Sequence, residues 1–274
     1  MTDRPANDIF RIVHATDLLP DGQTTFNHAV AVARDTNARL TTLHVTSEDV
    51  DGDNPDAYEI LARISEDEPG LVHDVLVEGN EKKPERALLE KIRELAPDLL
   101  IVGTRQQTSD KKKVGRSLSE TVTTDTEIPT LVVHIGQEGI VDANGQLHLR
   151  RILLPVGDGA EARDTIQGLT KFLDRLGIDE VDIYLLRVGD KEVLDYLTLP
   201  ERDGWRWHRE VRKRGFVANV VADVCEEKDI DLIAMATRGK DGFIDAFSGT
   251  HTEKVIRRAP RPVLAVVATD VVKS

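Results

Sequence analysis

The chain carries much of its text twice. Asp98-Leu99-Leu100-Ile101-Val102-Gly103-Thr104-Arg105 matches Asp231-Leu232-Ile233-Ala234-Met235-Ala236-Thr237-Arg238, and Ile128-Pro129-Thr130-Leu131-Val132-Val133 matches Arg261-Pro262-Val263-Leu264-Ala265-Val266. Asp98 to Pro129 and Asp231 to Pro262 both span 31 positions, so the two segments align without a gap at an offset of 133. The beginnings also agree at their own offset, Arg11-Ile12-Val13 with Asp17 against Arg151-Ile152-Leu153 with Asp158. A repeat of this length requires each copy to fold as a unit of about half the chain, and it requires both units to share one architecture.

Within each copy, apolar runs of strand length alternate with segments of helical period. Strands are expected near 9–14, 40–45, 72–77, 99–102 and 130–134, with helices at 24–37, 55–64, 84–95 and 117–124. The second copy repeats this, with strands near 152–156, 181–186, 206–212, 232–235 and 263–267 and helices near 161–175, 191–197, 215–228 and 250–258. Short, continuously apolar strands separated by helices indicate parallel sheets covered on both faces. The expected fold class is therefore α/β, two tandem open parallel five-stranded sheets flanked by helices, Rossmann-like. The stretch 136–148, GQEGIVDANGQLH, has no useful periodicity and reads as a linker, giving a first domain at 1–136, a linker at 137–149 and a second domain at 150–274. In such sheets ligands bind outside the carboxyl ends of the strands, where the strand order reverses.

Charge and composition exclude several functions. Asp and Glu number 49 against 36 Lys and Arg, a net charge of −13 that repels nucleic acid and anionic membrane surfaces. Cys225 is the only cysteine, so no intrachain disulfide or cysteine zinc cluster can form, and in a helical segment it reads as a small buried hydrophobe rather than a reactive thiol. No apolar run is long enough to cross a bilayer and the N-terminus lacks a basic-then-apolar pattern, so a cytoplasmic location is expected. The eight histidines show no metal-ligand spacing, and His44 and His134 read as strand histidines satisfied within the fold. Trp205 and Trp207 alternate with polar residues, so they share one strand face and read as packing.

The chemically suggestive stretch is ATRGKDGFIDAFSGTHTEKV, residues 236–255. It follows the fourth strand of the second copy, at a carboxyl end. Gly239 and Gly249 permit turns and close backbone approach, and Thr250 and Thr252 supply hydroxyls beside the next helix. Thr250 with Glu253 also has capping-box spacing, a reading compatible with phosphate binding. Asp241 follows the Gly239-Lys240 pair where a P-loop needs Ser or Thr, and no Gly-x-Gly-x-x-Gly follows a first strand, so neither common nucleotide motif is present.

Ala236-Thr237-Arg238-Gly239, nine residues, Gly249-Thr250, a helix and then Pro262-Val263-Leu264-Ala265-Val266 resembles the nucleotide-binding branch of the universal stress protein family. The resemblance covers nearly the whole chain as two tandem copies, with alanine in place of the motif's first glycine. It implies an adenine nucleotide α-hydrolase-like fold, with the last strand of each half pairing antiparallel so that the halves form an intramolecular pseudo-dimer. It further implies ATP, with Mg2+, as ligand, no catalytic residue, and a regulatory or stress-protective role through unknown protein partners. A nucleotide-free scaffold and a slow ATP hydrolase remain as alternatives, as does a homodimer.

Carried over residue by residue, the second-half nucleotide set is Ala236, Gly239, Gly249, Thr250 and Thr252, with Asp158 standing one residue beyond the first-strand position that contacts adenosine, where Gly157 falls. The first half keeps Asp17, Gly103, Ser117 and Ser119 but places Gln106 and Arg116 at the second and third glycine positions, which makes its site degenerate or altered. Lys111-Lys112-Lys113 in the same loop reads as a solvated tip, with a phosphate or partner contact as the other reading.

Overall fold

The structure, a computed structural model, describes residues 9–18, 20–46, 70–79, 84–105, 126–136, 139–157, 159–189, 192–213, 215–237, 255 and 258–267. The helices expected at 55–64 and 117–124, and nearly all of the one at 250–258, lie outside the described residues.

The first half comprises β1 (Arg11–Thr16), α1 (Gln23–Thr36), β2 (Arg39–Thr46), β3 (Val72–Gly79), α2 (Pro84–Leu95), β4 (Leu99–Thr104) and β5 (Thr130–His134). The second comprises β6 (Arg151–Pro155), α3 (Gly159–Leu176), β7 (Val181–Val188), the short α4 (Glu192–Asp195), β8 (Trp205–Arg212), α5 (Val217–Glu227), β9 (Leu232–Thr237) and β10 (Val263–Val267). The strands form one ten-stranded sheet in the order β3-β2-β1-β4-β5-β10-β9-β6-β7-β8. Every pairing is parallel except the central one, where β5 and β10 run antiparallel with Leu131 opposite Leu264 and Val132 opposite Val263. The halves are thus joined strand to strand as a pseudo-dimer within one chain.

Both core layers cross this seam. One face gathers Ile12, Leu40, Leu131, Leu264 and the inner sides of α1 and α3; the other gathers Val13, Leu100, Val132, Val263 and the inner sides of α2 and α5. Strands buried on both faces need continuous apolar sequence, which is why LLIV and LIAM read as they do.

The repeated residues have repeated structural work. Asp98 accepts the Arg11 backbone N–H at 2.9 Å, and Asp231 accepts that of Arg151 at 2.8 Å. The carbonyls of Pro129 and Pro262 each accept a strand N–H at 2.9 Å, from Leu100 and Ile233. α1 and α3 both end in the left-handed region, at Asn37 (φ 49°) and Gly177 (φ 66°), and the following N–H groups of Ala38 and Ile178 return to the carbonyls of Ala33 and Leu173 at 2.8 and 3.0 Å. Much of the repeat therefore encodes strand-start and helix-stop geometry.

The linker is more ordered than its sequence suggests. Residues 139–149 form a tight turn with an antiparallel bridge between Val141 and Leu147, and Asp142 accepts the N–H groups of Asn144 and Gln146 at 2.8 and 2.9 Å. Ile140 and Leu149 are buried in the α1/α3 layer. His28 ties the segment to α1: its Nδ1–H donates to the Thr24 carbonyl at 2.7 Å, and its Nε2 accepts the Ile140 N–H at 3.1 Å, a pair of bonds that needs the neutral ring.

Trp205 and Trp207 pack with ring centroids 6.4 Å apart, and their indole N–H groups donate to the carbonyls of Ile178 and Pro200. His44 Nδ1 lies 2.9 Å from the Thr16 carbonyl, and His134 is buried in β5. Cys225 is buried, and burial pushes its thiol up to about 12. Native protein at pH 8 is expected to react with a disulfide reagent only at the rate of opening, and the same thiol to react at once in denaturant. Fast labelling of the native chain would show that α5 frays from the sheet.

Candidate functional site

In each half the strand order reverses beside the first strand: β1 lies between β2 and β4, and β6 lies between β7 and β9. Both clefts open at carboxyl ends. Of the expected site residues, Asp17, Gly103 and Ala236 are placed by the structure, whereas Asp158, Ser117, Ser119, Gly239, Gly249, Thr250 and Thr252 lie outside the described residues, as do Gln106, Lys111–Lys113 and Arg116.

In the first half, β1 ends at Thr16 and Asp17 projects from the strand end, followed by Leu18 at φ 56°. Across the cleft, Arg105 is the first residue after β4. Its Nη1 donates to Asp17 at 2.8 Å, while its Nε and Nη2 donate to Asp21 at 2.9 and 2.6 Å. The guanidinium thereby bridges the reversal point, forked on Asp21 and singly bonded to Asp17. Its hydrogen bond holds the Asp21 carboxyl below the usual range, and the two carboxylates raise Arg105 above its own. All three side chains remain 41–48% exposed, so the cluster is screened by water and open to exchange with another anion.

Gly103 lies inside β4, paired with Val133, rather than in the loop beyond it. A Cβ there would fall 2.7 Å from Thr25 Oγ1 and 3.1 Å from Ile135 Cδ1, so the glycine serves close approach of α1 to the sheet. Ala236, its counterpart, is likewise within β9, opposite Val266, so that strand runs two residues beyond its expected end. Thr165, which follows Arg151 at the same distance as Thr25 follows Arg11, turns its hydroxyl to the Glu161 carbonyl at 2.8 Å.

In the second half, the carboxyl end of β6 is held by Arg187, which donates to the carbonyls of Val156, at 3.1 Å, and Gly157. Gly157 stands where the sequence resemblance expects aspartate. A Cβ on it would collide with Glu161 Oε2, so a carboxylate from the first turn of α3 already occupies the space of the missing side chain. Glu161 also stands at the position of Asp21, since Arg11 and Arg151 fix a constant offset through this region. Three residues that the sequence reading left out therefore sit at the clefts: Arg105, Glu161 and Arg187. Arg105 had a signal, because in both copies the threonine that ends the fourth strand is followed in sequence by arginine.

The described residues hold no group of three or more metal-ligating side chains, and no described helix is long and apolar enough to cross a membrane.

Two doubly wound halves with charged side chains at matching strand-order reversals define a tandem α/β protein of Rossmann-like build. The family model described as the universal stress protein family matches residues 9–134 and 177–267, and the chain belongs to that family. The second match starts after β6 and α3, which the structure adds to that half through the pairing of β6 with β7 and β9. A universal stress protein of Methanocaldococcus jannaschii is 36% identical over 83 residues, 30% of this chain and 48% of that protein, so the match spans about half of the relative's length. The crystal structure of a universal stress protein from Archaeoglobus fulgidus superposes with TM-score 0.63 at 16% identity, covering 95% of this chain and 97% of the other. A functionally unknown protein from Pseudomonas aeruginosa PAO1 gives TM-score 0.63 at 15% identity, over 96% and 94%. At these identities the two structures bear on the fold.

Proposed function

We propose that the protein binds an adenine nucleotide, ATP with Mg2+, in its second half and serves a regulatory role in the cytoplasm through protein partners that respond to occupancy. The carrying observation is Glu161 against Gly157: the carboxylate that the first-strand end lacks is restored from α3, beside the strand from which the glycine-hydroxyl run departs. Glu161 is suited to accept ribose hydroxyls, and Arg187 fixes the two carbonyls that form the floor beneath it. Gly239, Gly249, Thr250 and Thr252 supply N–H and hydroxyl donors for the phosphates. The bound nucleotide supplies the anionic charge that these donors gather around.

The first half is the weaker site in this reading. Asp17 is already engaged by Arg105, and Arg116 replaces the glycine that matches Gly249. Binding without turnover is the reading adopted.

Calorimetric titration of the nucleotide-stripped protein with Mg-ATP is expected to show one site per chain. Gly249→Arg is expected to abolish it, and Glu161→Ala to weaken it on the order of tenfold, the loss of a hydrogen bond to a charged acceptor. A folded sample that gives no heat, or a titration indifferent to Gly249→Arg, defeats the reading.

A further inference from the structure

A cavity of about 290 Å3 lies on the α1/α3 face at the seam. It uses neither Asp17, Arg105, Gly157 nor Glu161, so it is separate from both clefts. The first half contributes Phe10, Leu99 and Pro129, the second contributes Leu264 and Val266 of β10, and α3 forms one wall. The volume lies at the lower end of ligand pockets, which run from ~300 Å3 upwards.

The pseudo-symmetry of the halves explains why the space exists. Asn37 and Gly177 end their helices in the same way, which places His28 of α1 and Gly168 of α3 at equivalent positions. On α1 that position is taken by the linker: His28 accepts the Ile140 N–H, and a Cβ at Gly139 would strike the imidazole. On α3 the glycine draws the helix onto Val266, whose Cγ1 would be 2.6 Å from an added Cβ, and leaves the neighbouring space open. The chain covers this helix face in one half and leaves a hollow in the other.

The hollow also differs in charge. α3 places Lys171 and Arg175 one turn apart along its wall, where the equivalent α1 positions are Ala31 and Asp35. Arg175 lies over the Phe10 ring, 4.8 Å from its centroid, with its stem along apolar surface. Two acids complete the lining. Asp98 is engaged by the Arg11 N–H, and Asp164 is seven residues before Lys171, ~10 Å back along the helix at the other end. Apolar floor and paired cations at one end are the complement of an amphipathic anion.

We propose that this cavity binds a small amphipathic carboxylate, its alkyl or aryl body on Leu99, Phe172, Leu264 and Val266 and its carboxylate on Lys171 and Arg175. The inference stands independently of nucleotide binding, because it shares no residue with that site.

The test is calorimetric titration of the full chain with octanoate, beside octylammonium, on the wild type and on Lys171→Glu and Gln167→Trp. Both substituted side chains are exposed on α3, so the melting temperature is expected to stay in place. Saturable binding of octanoate at one per chain, weakened on the order of tenfold by Lys171→Glu and blocked by Gln167→Trp, supports the site. Absence of saturable binding, equal affinity for octylammonium, or binding indifferent to both substitutions overturns it. Sedimentation showing that Gln167→Trp dissolves a wild-type dimer also overturns it, because the occupant is then a second copy of the chain.

Discussion

Taking the protein from pH 7 to pH 5 is expected to remove about 2 kcal/mol of folding stability through His14 alone. His14 lies in β1 with both ring nitrogens buried and without a hydrogen-bond partner among the described residues, its ring 5.7 Å from that of Phe26. Burial, reinforced by the neighbouring His73 and opposed by Asp17, lowers its pKa from 6.5 to about 3. The unfolded chain therefore binds a proton below pH 6.5 that the folded chain refuses until pH 3. Stability is intact above 6.5 and falls by up to ~1.4 kcal/mol per pH unit between those limits. His28 and His73, also lowered chiefly by burial, act in the same direction. His14→Leu is expected to flatten the slope and to add ~1–3 kcal/mol at pH 7, because leucine brings no unsatisfied nitrogen into the core. Urea unfolding of both proteins at pH 7, 6 and 5 checks this, and an unchanged slope in the variant would place the proton elsewhere.

The architecture was legible because a buried parallel sheet imposes continuous apolar runs, and because the duplicated text fixed one half by the other. The Asp98 and Asp231 pair even shows why the repeat begins where it does: each carboxylate holds the start of the neighbouring strand. The clefts were only half legible. Asp17 followed from its place after β1, but its partner Arg105 is 88 positions away, and nothing local announces that contact. Glu161 was hidden for a different reason. Sequence alignment asks which residue stands at position 157, whereas the structure fills that space with a carboxylate from another element. The linker's polar composition likewise conceals Ile140 and Leu149, whose burial depends on a surface supplied by α1.

The seam carries the other large effect. Only three residue pairs join β5 to β10, yet both hydrophobic layers run across it, so the halves are expected to unfold in one cooperative transition with calorimetric and van't Hoff enthalpies equal. Leu131 and Leu264 face each other in register, and both are essentially without solvent contact. Leu131→Asp or Leu264→Lys alone strands a charge there and is expected to cost ~3–5 kcal/mol, a large part of the ~5–15 kcal/mol that holds a typical protein folded. The double variant places the opposite charges side by side and is expected to recover ~1–3 kcal/mol relative to the sum of the single losses. Denaturant titration of the four proteins closes the cycle. Directly opposed residues must couple in this way, because each charge supplies the partner that the other lacks, whereas two positions apart in solution would lose stability additively. Strict additivity would therefore separate the strands that the pseudo-dimer joins.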